Sequence, residues 1–153
     1  MTADTPVEGR ILPLPNSSTK PFWEAAARGE LVVQWCEQCQ EAQFHPGPLC
    51  RSCGAEPDWK VASGRGSIYT YTIVQQSRTP PFDQLVPYIV AMVDLDEGPR
   101  MMTNVIGCAV DDVYVGMRVE VAFAAEVDGI ALPFWQAASE ETVSEEAASE
   151  EGA

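Results

Sequence analysis

The sequence predicts a mainly β protein: a short N-terminal helix, a small two-knuckle ribbon, a five-stranded barrel of the OB kind and a disordered acidic tail. Three observations carry that reading. Four of the 5 cysteines, Cys36, Cys39, Cys50 and Cys53, form two Cys-x2-Cys pairs ten residues apart. From Ser67 onward come five strand-like stretches and no helical repeat. Residues 119–153 hold no Lys or Arg and nine acidic side chains, most of the net charge of −14.

In chain order, residues 1–18 form an extended arm, 19–30 the helix, 31–62 the ribbon, 63–136 the barrel and 137–153 the tail. The arm is polar and Pro-rich, with "ILPLP" as its apolar patch. The helix is read from "STKPFWEAAARGE". Ser18 or Thr19 can cap it, Pro21 suits its first turn and Gly29 its stop. Phe22 and Ala26, like Trp23 and Ala27, share a face at i,i+4 spacing. A helix of about ten residues is marginal alone, so Phe22 and Trp23 are expected to pack on the ribbon or on a partner. "ELVVQW" then alternates as a strand that delivers the chain to Cys36.

Each Cys-x2-Cys pair presents two sulfurs at a separation suited to one tetrahedral ion. Pro46, Gly47 and Pro48 belong to a loop linking the two knuckles, and Gly54 relieves the turn after Cys53. The first knuckle has Gln40 at the matching place. A thioredoxin-like dithiol needs one pair inside a βα unit. The expected cofactor is therefore a structural Zn2+, although a rubredoxin-type iron site uses similar pairs. His45, the only histidine, is a packed loop residue beside Phe44, since four cysteines already close a structural site. With one histidine so placed, Ser-His-Asp or Cys-His catalysis is hard to build. No catalytic residue is assigned to this chain.

The barrel strands are read from "SIYTYTIVQQ", "YIVAMVDL", "RMMTNVIGC", "RVEVAFAA" and "IALPFW", separated by turn signals such as "DEGP" and "EVDG". Five short strands suit a small closed barrel. In the first of them Tyr69, Tyr71 and Ile73 are expected on one face. Gly64 and Gly66 let the chain bend from ribbon into barrel, and Arg65 between them is the candidate anion contact. The stretch "QSRTPPFDQLVPY" is longer than a hairpin turn and stiffened by prolines. Its apolar Phe82, Leu85 and Tyr88 suit a binding loop, because a stiff loop loses little entropy on docking. Cys108 is expected to pack as a small apolar residue, and Asp111 and Asp112 to form a solvated turn.

Composition excludes other classes. No basic stripe exists to hold nucleic-acid phosphates. No apolar run is long enough to span a membrane, and "MTADTPVEGR" lacks a secretory pattern. A cytoplasmic location is expected, where paired thiols bind metal more often than each other. The last seventeen residues carry six Glu and one branched aliphatic residue, Val143. Such a tail cannot offset its chain entropy by burial.

The order of parts resembles the zinc-ribbon/OB-fold acyl-CoA-associated proteins, a former domain of unknown function. The resemblance runs from about Phe22 to Phe134. It rests on "PFWEAAARGELVVQWCEQC", "FHPGPLCRSCG", "SGRGSIYTYTIV", "VPYIVAMVDLDEGPRM" and "VYVGMRVEVAF". Many relatives carry Pro-Arg before the third cysteine, where this chain has Gly47-Pro48. The resemblance implies a non-catalytic partner of a thiolase-fold enzyme, with a CoA thioester at or near the interface. It is similar to the small subunit of lipid-transfer-protein-like aldolases that cleave steroid side chains, implying a heterotetramer. Two readings of other kinds stand beside it: a stand-alone CoA-ester or acyl-lipid binding module, and a rubredoxin-like electron carrier or nucleic-acid-binding ribbon-OB protein.

Overall fold

The computed structural model describes residues 9–139. The expected unstructured tail lies, beyond Ser139, outside the described residues. One helix, α1 (Lys20–Ala27), precedes three ribbon strands, β1 (Val32–Cys36), β2 (Glu41–Gln43) and β3 (Asp58–Val61). Five barrel strands follow: β4 (Arg65–Val74), β5 (Tyr88–Leu95), β6 (Arg100–Ile106), β7 (Arg118–Phe123) and β8 (Pro133–Ala137). The sequence signalled β1 and all five barrel strands; β2 and β3 are too short for a period to be read.

The helix begins at Lys20 with Thr19 at the N-cap position, as expected, but Thr19 does not cap it through its side chain. Asn16, one turn upstream, accepts from the backbone N–H of Ser18 and Thr19 through its Oδ1, at 2.9 and 3.0 Å. Thr19 Oγ1 accepts from the Asn16 N–H instead. The end is as expected. Gly29 sits at φ +78, Gly29 N–H donates to Ala26 C=O and Glu30 N–H to Ala25 C=O, the paired bonds of a Schellman stop. Phe22, Ala25 and Ala26 are buried.

β1 is the centre of a sheet of order β2-β1-β3, antiparallel throughout. The remaining strands close a barrel of order β4-β5-β6-β8-β7, antiparallel except where β6 meets β8. The long crossing from β6 to β7 lets β8 insert between them. Ribbon and barrel share one apolar cluster that runs from Phe22, Leu31 and Val33 through Ala62 to Ile68, Val93, Val119 and the fully buried Trp135.

Two expectations change here. β4 is irregular between Ile68 and Thr70, so Tyr69 does not share a face with Tyr71. Ile68 is buried, Tyr71 packs against the core and Tyr69 is exposed. An extra residue in one strand shifts the phase of all that follow. The barrel also extends past residue 136: Ala137 pairs with Val119, and Ala138 N–H donates to Arg118 C=O.

The two junction glycines have separate reasons. Gly64 turns the chain at φ +73, and a Cβ there would meet Val121 Cγ1 at 2.8 Å. At Gly66 a Cβ would lie 2.5 Å from the Asp94 carbonyl oxygen, so β4 crosses β5 closely only because that residue has no side chain.

Candidate functional site

The four paired cysteines come together. Their sulfurs all lie within 4.8 Å of one another, with Cys36–Cys53 at 3.5 Å and Cys39–Cys50 at 3.8 Å. A tetrahedron with metal–sulfur bonds of about 2.3 Å has edges of about 3.8 Å, so the donor set fits one ion with four thiolate ligands. The thiols are unequal. Backbone N–H groups of Cys53 and Ser52 pull the Cys50 thiol down to about 6. The Cys39 thiol is pushed up, first by its hydrogen bond with Cys53. Sulfurs this close cannot all be anionic unless a cation sits among them. Four protein ligands leave no open position, so the ion would be structural.

Local backbone shapes both knuckles. Gln40 at φ 55 and Gly54 at φ 78 end the two turns, where Gln40 N–H donates to Cys36 C=O and Gly54 N–H to Cys50 C=O. Gln40 tolerates this region with help: its Nε2 donates to the Glu37 carbonyl at 2.7 Å and the Glu37 carboxylate at 3.1 Å.

Behind the knuckles lies a pair that sequence reasoning missed. Gln34 and Gln43 are buried, at 4% and 9% exposure. Gln43 Nε2 donates to Gln34 Oε1 at 2.7 Å, Gln34 brackets Gly47 through both its N–H and C=O, and Gln43 Oε1 accepts from Arg51 N–H. The pair ties the hairpin loop to the residue after Cys50. Its signal was a glutamine inside the apolar run "LVVQW".

The other expected site residues disperse. Phe22 is a core residue, 5% exposed, with its ring 5.6 Å from Phe44; it is not available as a partner contact. Trp23 is partly buried and packs edge-on against Phe22. Arg65 pairs across strands with Glu120 and its charge helps hold Asp96 low, after the larger effect of Arg118. Its surroundings are acidic, which competes with an anion. Phe82, Leu85 and Tyr88 are half-buried. Phe82 packs on Tyr88 at 5.9 Å, and the Arg10 guanidinium lies over Phe82 at 5.0 Å and Phe134 at 5.2 Å. The loop therefore receives the N-terminal arm, leaving Ile11 and Leu14 fully outside at 99% and 91% exposure. Cys108 is half-buried against the core, and Asp111 and Asp112 occupy an exposed turn. His45 lies against Phe44, ring centroids 4.6 Å apart.

A cavity of about 340 Å3 opens between the second knuckle and the β5–β6 turn, lined among others by Glu41, Phe44, Arg51, Ser52 and Arg100. No helix of the described residues is long and apolar enough to cross a membrane.

Comparison with known proteins agrees with this architecture. Residues 23–58 match the family described as "ChsH2, rubredoxin-like zinc ribbon domain", and residues 59–124 match "ChsH2, C-terminal OB-fold domain". A probable enoyl-CoA hydratase alpha subunit of Thermomonospora curvata is 34% identical over 139 residues, 90% of this chain and 43% of that one. The 3-oxo-4,17-pregnadiene-20-carboxyl-CoA hydratase alpha subunit of Mycobacterium tuberculosis is 26% identical over 121 residues, 78% of this chain and 38% of that one. This chain thus spans less than half the length of these curated relatives. A chain of the solved Ltp2-ChsH2(DUF35) aldolase superposes with a TM-score of 0.74 at 34% identity, covering 84% of this chain and 100% of that one.

Proposed function

This chain belongs to the ChsH2-type DUF35 family of ribbon-and-barrel proteins, and from that premise we propose that it is the non-catalytic subunit of a thiolase-fold acyl-CoA enzyme. In this reading it completes the partner's CoA or acyl site during retro-aldol cleavage of a steroid side-chain CoA ester. The observation that carries it is the match along the whole of a chain from an aldolase complex, at 34% identity. The relatives named as alpha subunits of CoA-ester hydratases support a subunit role.

The division of labour follows from what this chain has. Retro-aldol cleavage of a β-hydroxyacyl thioester needs a base to take the hydroxyl proton. The bond between the α and β carbons then breaks, the β carbon becomes a ketone, and the electron pair passes to the α carbon as a thioester enolate. Protonation of the enolate gives the shorter acyl-CoA. The lone histidine sits in the ribbon loop between the two cysteine pairs, against the Phe44 ring, and the base is assigned to the partner. Zinc, held by Cys36, Cys39, Cys50 and Cys53, would supply structure alone. Ile11 and Leu14 on the pinned arm, with Tyr69 and Met102 on the outer barrel face, are exposed apolar groups suited to contact a partner.

The test is co-expression with a thiolase-fold homologue, followed by light scattering on the purified complex and an assay on steroid-CoA esters. Expected are a stable heterotetramer, cleavage by the complex and none by the isolated chain. A chain that stays monomeric beside such a partner, or that cleaves substrate alone, overturns the proposal.

A further inference from the structure

Arg51 is held differently from most cations of this acidic chain. Lys20, Arg28, Lys60, Arg100 and Arg118 each pair with a carboxylate. Arg51 instead donates from Nη1 to the Phe44 carbonyl at 3.0 Å and from Nη2 to the His45 carbonyl at 2.8 Å. Two neutral acceptors fix the guanidinium in place without cancelling its charge, and its other N–H donors have no partner among the described residues. Its backbone N–H is held by Gln43 Oε1, and it follows the metal-ligand candidate Cys50 directly. The four-sulfur centre and the glutamine pair thus orient one positive group.

That group lines the cavity of about 340 Å3 at the ribbon–barrel junction, with Arg100 of β6 on the same lining. Arg100 gives Nε and Nη2 to the two Asp94 oxygens and stacks over Tyr69 at 3.4 Å, which keeps Nη1 for another acceptor. The Ser52 hydroxyl lines the cavity too and donates to the Glu41 carboxylate at 3.3 Å. Glu41 is the one acid of the lining.

We propose that this cavity is a phosphate-binding subsite that takes a phosphate or pyrophosphate group of a small ligand. A guanidinium fork matches phosphate oxygens in pairs. A concave space of this volume fits a small molecule better than a flat protein face. The inference deepens the proposed function, and rests on it only for naming the ligand: the phosphate belongs to CoA. Arg51 then replaces Arg65 as the anion contact, because Arg65 stands among acids outside the lining.

The experiment titrates the full-length, zinc-loaded chain with inorganic pyrophosphate and, separately, with CoA, followed by calorimetry and amide NMR shifts. Both should bind, each displacing the other, with shifts centred on Arg51, Ser52 and Arg100. Arg51→Gln should weaken both by roughly tenfold, the loss of one charge-assisted contact. Glu41→Gln should tighten both several-fold, since it removes the opposing charge. Arg28→Gln, at the end of α1 and outside the lining, should change neither. Zinc content and near-ultraviolet dichroism check that Arg51→Gln is folded; if it is not, Glu41→Gln decides alone. Absence of pyrophosphate binding, shifts centred elsewhere, or wild-type affinity in Glu41→Gln would overturn the proposal. Complex formation with the thiolase-fold partner is scored independently. A complex without pyrophosphate binding removes only this site, and binding without a complex removes only the subunit reading.

Discussion

Replacing Gln43 by Ala should destabilise the ribbon and loosen its metal together. Three hydrogen bonds of Gln43 are at stake: to Gln34 Oε1 at 2.7 Å, to the Leu49 carbonyl at 3.3 Å, and from Arg51 N–H at 3.1 Å. Gln43 is 9% exposed, so water replaces those bonds poorly, and an orphaned buried partner costs about 1–3 kcal/mol. The Leu49 bond is long and weak, which leaves two substantial losses and a total of about 3 kcal/mol. Arg51 N–H adjoins Cys50, so the same change frees the second knuckle. Removal of groups that orient ligands typically costs about 10–100-fold in metal affinity. Urea unfolding of the zinc-loaded chain measures the first effect and chelator competition the second. A Gln34→Leu, Gln43→Leu cycle should return a coupling of about 1 kcal/mol for their mutual bond. Stability within about 0.5 kcal/mol of wild type together with unchanged zinc affinity would refute the reasoning.

Two further outcomes follow from the barrel. Gly66→Ala should cost about 3 kcal/mol or prevent folding, because its Cβ would lie 2.5 Å from the Asp94 carbonyl oxygen and 2.7 Å from Val93 Cγ1; thermal unfolding of the variant checks this, and an unchanged melting temperature contradicts the strand crossing. Asp96 is held below the usual carboxylate range by its hydrogen bonds to the Arg118 guanidinium, at 2.8 Å each. A depressed folded value means that its contribution is complete above about pH 4 and is lost as pH falls through the lowered value. The pair is largely solvent-screened, so the contribution is below about 1 kcal/mol. Arg118→Met should move the Asp96 carboxyl titration upward in a carbon-detected NMR series, and no movement would show that the pair does not set it.

The sequence by itself determined the order of the helix, the two knuckles, β1 and the five barrel strands, and for local reasons; β2 and β3 emerged only from pairing with β1. Cys-x2-Cys turns place two sulfurs together through a few backbone dihedrals, so two such pairs announce one four-thiolate centre before any long-range contact forms. A nearly all-apolar run, "YIVAMVDL", followed by the turn signal "DEGP", marks β5 over its full length, Tyr88–Leu95. Gly29 marks the helix stop because few other residues tolerate its positive φ. Tertiary structure decided which polar groups meet. Gln34 and Gln43 are nine positions apart, yet only the β1–β2 pairing makes them partners. A bulge at Tyr69 reversed a facing that perfect alternation would impose. Phe22 could have faced a partner or a core, and one sequence fits both; the shared ribbon–barrel cluster claimed it. Arg65 looked exceptional between two glycines, but the charge that any arginine offers depends on its neighbours across strands. Glu120 stands opposite Arg65 on β7, whereas Arg51 meets two carbonyls and a cavity. Chain-local signals fix where turns and strands occur, and electrostatic environment belongs to contacts that only packing creates.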